Sequence, residues 1–574
     1  MKEVLCMKRY GKGIAVLTLI VITLSSLATL IVITLSSLVG CTNSNNKKNQ
    51  VDENGIKTFT AFMAVPGAEV PDDNRMLNLI AQEVGAKAEV TWLTGQTAAE
   101  RIGVMVAGGE YPDFVDGSDG TEALIEAGAF IALDEYFDKY PNIKNYYSEE
   151  EWNQIRREDG HIYYVPQFGN VHIKNMAVEH ADEAFWIQKR VLEWADYPEV
   201  KTLDQYFDLI QAYLAVNPQD EDGQTNIGFE ILSDDWRYFC LENPPMFLDG
   251  FPNDGCGIVD PVTKEVRVYD TTDTAKMYFN KLSEMYDAGV IDPETFTMSY
   301  DQYIAKLSSG RVLGMVDQGW NFSDARSSLI QQEKYDRGYV PLGITKDEQT
   351  VDQYFNPATL NTANGLGITI SCKDVEGALQ FMNDLLAPEV MTMRYWGEEG
   401  VDYEVDADGM YYRTEAQRKN AEDPDWVTRN QANTIYSYFP AYIGTMDGKN
   451  AISPSEQPSE FELGLRDIDK RIFAAYGYER WTDFLTPVEE NQPWFPLWSA
   501  TNAWTTDTPY GVANQKMDDI KHQWLPKVIM TPADEFEQVW EEYMTVYNNE
   551  VDIKAYEDEL TAEVARRIEN ALGQ

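Results

Sequence analysis

The chain has 574 residues, 44% of them hydrophobic and 12% aromatic, enough to bury a large core divided between two or more lobes. Its 95 acidic residues outnumber 46 basic ones, and the net charge of −49 is spread along the whole length. That balance argues against nucleic acid and anionic lipid headgroups as partners, since both are bound through clustered Lys and Arg.

Lys8, Arg9 and Lys12 precede residues 14–40, which carry no charge, so the N-terminus reads as an export signal starting at Met1 or Met7. Leu19–Leu27 recurs unchanged as Leu30–Leu38, and the doubled apolar run exceeds the roughly 20 residues that span a bilayer. It ends in Leu38-Val39-Gly40-Cys41, which resembles the lipobox of bacterial lipoproteins, where the cysteine receives diacylglycerol. The expectation is a signal peptide over 1–40, lipid on Cys41 and a flexible, Asn-rich tether over 41–55. An uncleaved transmembrane anchor is the alternative. Either one leaves the body on the extracytoplasmic face of the cell membrane.

From Thr58 short apolar runs alternate with amphipathic stretches: a strand near Thr58–Val65, a helix near Asn74–Val84, a strand near Ala88–Leu93 and a helix near Thr97–Ala107. The alternation predicts an α/β fold with largely parallel strands. Thr202-Leu203-Asp204-Gln205 has the spacing of a capping box, and Leu203, Phe207, Ile210 and Leu214 follow on one helical face. A helix through Ala378, Met382 and Leu386 should stop at Pro388, and a C-terminal one through Leu560, Val564, Ile568 and Leu572 should close at Gly573. Cys240, Cys256 and Cys372 are too few for a disulfide scaffold. A Cys240–Cys256 bridge remains open beside the commoner state of buried free thiols.

Several motifs occur in a distinctive order. They are Ala107-Gly108-Gly109-Glu110-Tyr111-Pro112-Asp113-Phe114, then Asp159-Gly160-His161-Ile162-Tyr163-Tyr164-Val165-Pro166, then Phe185-Trp186-Ile187-Gln188-Lys189. The last is Arg394-Tyr395-Trp396-Gly397-Glu398-Glu399-Gly400-Val401-Asp402-Tyr403. In that order they resemble the family 1 extracellular solute-binding proteins of ABC importers, particularly the long LipO-like lipoproteins of Gram-positive bacteria. Gln188 departs from the arginine usual in that family.

The resemblance implies a type II periplasmic-binding-protein-like fold, two α/β lobes around a ligand cleft joined by a multi-crossing hinge. Lobe I is expected over 56–171 and 364–492, and lobe II over 172–363 and 493–574. Crossings are placed near Gly169–Lys174, Thr359–Gly365 and Pro493–Thr505. It further implies a monomer that binds a small solute, an oligosaccharide above all, and delivers it to ABC permease subunits.

Asp116, Ser118 and Asp119 lie in a Gly-rich loop where the maltose-binding member of the family carries polar groups for sugar hydroxyls; a solvated turn is the competing reading. Trp320, after Gly319, occupies the place of an aromatic platform whose face can stack on a pyranose, although Trp is also common in cores. Trp236, Gln167 and Trp494 are weaker candidates on segments expected at the cleft edge, with packing rather than ligand contact as the competing reading of each. Asn217-Pro218-Gln219-Asp220-Glu221-Asp222-Gly223 resembles a calcium-type loop, but its oxygens miss the alternating spacing, so it reads as an acidic turn. No metal or cofactor is expected.

There is no Gly-x-Ser-x-Gly, His-Glu-x-x-His, P-loop or Gly-x-Gly-x-x-Gly motif, so no catalytic residue is assigned. A surface glycoside hydrolase, which needs only two placed carboxylates, and a polysaccharide-binding adhesin are the rival classes. The Cys41 reading is tested by metabolic labelling with a palmitate analogue. Wild type should carry label and Cys41→Ala should not; equal label on both rejects the lipobox.

Overall fold

The computed structural model describes residues 51–571 except 158, 168, 169, 359, 502 and 503, with the backbone alone at 235. The expected signal segment, Cys41 and the tether up to residue 50 lie outside the described residues.

In chain order the first half holds β1 (Lys57–Met63), α1 (Arg75–Val84), β2 (Ala86–Trp92), α2 (Ala98–Gly108) and β3 (Phe114–Asp116). Then come β4 (Glu183–Gln188), α3 (Leu203–Val216), β5 (Ile227–Glu230), β6 (Val312–Gln318), β7 (Tyr339–Leu342) and β8 (Leu366–Ile368). Among the later helices are α4 (Val375–Leu385), α5 (Pro388–Tyr395), α6 (Asp467–Tyr476) and α7 (Ile553–Ala571).

The local signals act where the sequence puts them. Thr97 caps α2 through a reciprocal capping box with Glu100, and Gly109 ends it in the left-handed conformation (φ 65°). Thr202 and Gln205 form the expected box on α3, which buries Leu203, Phe207 and Ile210. Pro388 both follows the end of α4 and starts α5 at its first turn, where a missing N–H costs nothing.

One sheet has the order β8-β3-β1-β2, with β1 parallel to both neighbours and β8 antiparallel to β3. The second has the order β7-β4-β6-β5, and only its β5–β6 pair among adjacent strands is parallel. The expectation of largely parallel strands thus describes the first sheet, where two of the three strand pairs are parallel; in the second only one of three is.

Each sheet has its own core. Phe59, Phe114, Phe381 and Phe439 pack in the first, with ring centres 5.6–5.9 Å apart at the closest contacts. Trp186, Tyr206, Phe229 and Phe322 pack in the second. Core membership changes between Val165 and Ala184, between Tyr354 and Leu366, and between Ile452 and Ile468. The sequence boundary that kept 364–492 with lobe I therefore misplaces α6: Ile468, Ile472 and Phe473 belong to the second core. Lys189 holds α6 there through a 2.6 Å ion pair with Asp469, and Tyr476 donates to the Pro198 carbonyl at 2.8 Å. Cys240, Cys256 and Cys372 are free and buried.

The Arg394 motif has a structural cause. Its guanidinium, 1% exposed, donates to the carbonyls of Leu385, Tyr436, Phe439 and Pro440 at 2.8–3.2 Å, tying α5 to the turn that carries Phe439. Arg394→Met should lower the unfolding free energy by about 3–5 kcal/mol in denaturant titrations, because four buried carbonyls lose their donor. A loss below about 1 kcal/mol would show that water replaces the guanidinium there.

Candidate ligand-binding site

Ligands of open α/β sheets collect at the carboxyl ends of parallel strands. In the first sheet those ends lie level: Met63 pairs in register with Trp92 on one side and Asp116 on the other, so the three side chains share a face. Asp116 is 1% exposed. It accepts the Ser118 N–H at 2.8 Å and a short bond from the Gln167 amide. Burial pushes its carboxyl up to about 6 against those two hydrogen bonds, and Asp119 adds a like charge. Ser118 adopts φ 45°, a left-handed conformation costly for a non-glycine residue, and its N–H bond to Asp116 holds it there.

Asp116 and Gln167, 51 positions apart, thus form one unit, with Ser118 beside them and Asp119 exposed at its rim. Leu366 of β8 pairs with Asp116, so the strand returning from the second lobe enters at this point. Sequence reasoning missed two neighbours. Trp92 ends β2 with its ring against Gly67, and Tyr438 meets it edge-on at 5.9 Å; burial first and then the Asp116 charge raise the Tyr438 hydroxyl above its ordinary value. Trp92 could have been found by its place at a predicted strand end; Tyr438 carries no sequence signal. Trp92 Nε1 and Gln167 Oε1 are buried without a hydrogen-bond partner among the described residues.

The second sheet presents its own strand ends. Trp236 follows β5 and Trp320 follows β6, the parallel pair, and their rings lie within 12° of parallel with centres 6.0 Å apart. They are 52% and 49% exposed, unusual for tryptophan. Gly319 is required by a close approach rather than by a left-handed turn: a Cβ there would lie 2.6 Å from the His180 carbonyl. That approach lets Trp320 N–H bond to the Ala181 carbonyl at 3.1 Å, which fixes the loop. Behind it sits Asp317, also raised to about 6 by burial, accepting from Asn321, Tyr303, Cys240 and the Gln318 N–H.

Trp494 does not join this group. It is 4% exposed in the second core, with the Lys264 ammonium 4.5 Å over its ring and its carbonyl bonded to Arg567. The assignment of Trp494 to the ligand is corrected on that ground: its faces are used in packing. In the acidic turn, Arg337 donates to Asp220 at 3.2 Å, and the Asp220 side chain is 2% exposed, so a guanidinium supplies the positive charge. Among the described residues no cluster of three or more His, Cys, Asp or Glu is arranged to hold a metal. The departure at Gln188 is compensated within two residues, since its side chain accepts from Arg190 at 2.6 Å and both side chains donate to the Gly310 carbonyl. A separate concavity of about 510 Å³ between Met76, Met391, Trp396 and Met446 includes none of the strand-end groups.

Two strand-end clusters, one polar and one aromatic, thus belong to two lobes joined by several chain crossings. Residues 80–398 match the bacterial extracellular solute-binding protein family. The chain is similar to lipoprotein LipO of Bacillus subtilis (strain 168), 22% identical over 67% of this chain and 74% of that one. It is 22% identical to the fructooligosaccharide ABC transporter substrate-binding protein FusA of Streptococcus pneumoniae, over 58% of this chain and 61% of FusA. The structure of a FusA EF-hand mutant with fructo-nystose matches 90% of this chain and 100% of its own at TM-score 0.60 and 16% identity. The polygalacturonan/rhamnogalacturonan-binding protein YtcQ of Bacillus subtilis (strain 168) is 20% identical over 65% of this chain and 71% of its own. The fold is that of the periplasmic solute-binding proteins, two lobes about a cleft, and the chain belongs to the bacterial extracellular solute-binding protein family.

Proposed function

We propose that this protein captures an oligosaccharide outside the cell, held to the membrane by lipid on Cys41, and hands it to an ABC permease. The observation that carries the reading is the Trp236–Trp320 pair, two half-exposed indoles fixed side by side at adjacent strand ends. Exposed aromatic surface of this kind is stabilised by a partner with an apolar face, and a pyranose or furanose ring offers one alongside its hydroxyls. Asp116, Gln167 and Trp92 supply acceptors and a donor for such hydroxyls on the first lobe. FusA and YtcQ, named for sugar ligands, support the same class. A sugar touching both lobes favours their closed arrangement in proportion to its differential affinity.

Trp320→Ala tests the platform. The variant should bind an oligosaccharide at least tenfold more weakly by calorimetry while unfolding within about 1 kcal/mol of wild type, because a half-exposed ring contributes little to the core. A loss of about 3–5 kcal/mol in stability would mark Trp320 as a packing residue instead. Ligand addition should also reduce the radius of gyration in solution scattering; tight binding without contraction rejects closure.

Asp116 gives a pH-dependent test. Burial lets the folded chain hold this proton up to about pH 6, well above the ordinary aspartate range. Its ionisation therefore costs stability as pH rises through that window, and the cost is complete above it. Asp116→Asn should stabilise the ligand-free protein by about 1–3 kcal/mol at pH 7.5 and by nothing near pH 3, while weakening sugar binding. Denaturant titrations at the two pH values decide; an equal difference at both removes Asp116 as the titrating group.

A further inference from the structure

Arg237 narrows the ligand class. It follows Trp236 in the turn Asp235–Tyr238, and its guanidinium carbon lies 4.5 Å from the centre of the Trp236 ring and 3.9 Å from that of Tyr300. Two aromatic neighbours fix the plane of the group and strip water from it. Its Nε donates to Asn321 Oδ1 at 3.1 Å. Asn321 is itself held, donating to Asp317 at 2.8 Å and accepting the Tyr300 hydroxyl on its carbonyl at 2.6 Å. Arg237 is therefore contacted on three sides, by Trp236, Tyr300 and Asn321.

Two described carboxylates near it, Asp234 and Asp317, are engaged elsewhere. Asp234 accepts the Tyr300 N–H at 2.8 Å, and Asp317 is enclosed by Asn321, Tyr303, Cys240 and the Gln318 N–H. Among the described residues Arg237 forms no ion pair, and its Nη1 and Nη2 carry no hydrogen bond. This holds in a chain with 95 acidic residues to 46 basic ones, where a counter-ion is easily supplied. A guanidinium flanked by two rings, with Nη1 and Nη2 both open among the described residues, is shaped for an anion that takes two parallel N–H bonds.

The geometry points to Arg237 as the anchor for a sugar carboxylate. Resting on the sugar-binding reading, the inference is that the ligand is an oligosaccharide containing uronic acid, with a ring on Trp320 and its carboxylate paired with Nη1 and Nη2. A neutral sugar would leave this cation without a counter-ion in a cleft that closure dries, at a cost that grows as water is excluded. The overall negative charge does not prevent this, because exposed charges are screened beyond about 8 Å at physiological salt whereas the proposed pair meets at hydrogen-bond distance.

Calorimetry on the full-length protein with a set of tetrasaccharides tests it: tetragalacturonate, tetramannuronate, the methyl ester of each, maltotetraose and a fructan tetramer. At least one acidic tetrasaccharide should bind, and its methyl ester, which keeps the shape and loses the charge, should bind at least tenfold more weakly. Arg237→Gln should weaken the acidic ligand 30-fold or more while changing the methyl ester less than threefold. Affinity for the acid should also fall with added salt. Preferential binding of a neutral or esterified tetrasaccharide, or an Arg237→Gln variant that keeps the acidic ligand, overturns the carboxylate assignment and leaves the sugar receptor standing. Binding of none of the six overturns the carboxylate assignment and counts against the sugar reading as well. The ester comparison uses wild-type protein, so it decides even where the variant folds poorly.

Discussion

Each lobe fixes the loop at its candidate site through one buried carboxylate at or next to the end of a strand. Asp116 ends β3 and Asp317 lies one residue before the end of β6; burial raises both to about 6, and each binds the loop that leaves its strand. Asp116 gathers Ser118 and, from 51 residues away, Gln167. Asp317 gathers Gln318, Asn321 and Tyr303, and through Asn321 it reaches Arg237. A carboxylate in that position is destabilising in isolation, since its charged form has lost its water. What it provides is a loop conformation fixed by several charge-assisted bonds, which is the condition for presenting aromatic and polar groups without ordering them at the moment of binding.

The fold was more legible than the site because its signals are local. Capping boxes at Thr97 and Thr202, and Pro388 at a helix start, act within one turn and survive any tertiary context. The direction of β4 is another matter. It enters from a chain crossing and pairs antiparallel with β6, a relation set by the path between lobes and absent from any window of residues. The same limit misplaced α6, whose amphipathic pattern would suit either core; the packing of Ile468, Ile472 and Phe473, the ion pairs of Asp469 with Lys189 and of Arg471 with Glu193, and the Tyr476 bond select the second.

At the site, the sequence picked out Asp116, Gln167, Trp236 and Trp320 one by one, yet not their pairing. Trp494 is the same residue type, set between Pro493 and Phe495-Pro496, and burial under Lys264 separates it from Trp320. Tyr438 and Arg237 were passed over because nothing in their neighbours announces a role. Arg237 becomes notable only when Trp236, Tyr300 and Asn321, spread over 86 positions, are seen around one guanidinium.

The division of labour between the clusters bears on how closure is driven. An aromatic platform confined to one lobe binds a sugar equally well whether the lobes are open or shut, and a ligand with equal affinity for both states shifts nothing. The differential part has to come from the opposite lobe. There Trp92 Nε1 and Gln167 Oε1 are buried without partners among the described residues, each at a cost of about 1–3 kcal/mol while unsatisfied. A ligand held on Trp320 that reaches them on closing recovers that energy only in the closed arrangement. Moving such an equilibrium from 1:99 to 99:1 takes about 5.5 kcal/mol, a sum that two satisfied buried groups and one charge-assisted bond to Asp116 can approach. Under the proposed function, the differential affinity that drives closure would come from the polar lobe, and the choice of ligand from the aromatic one.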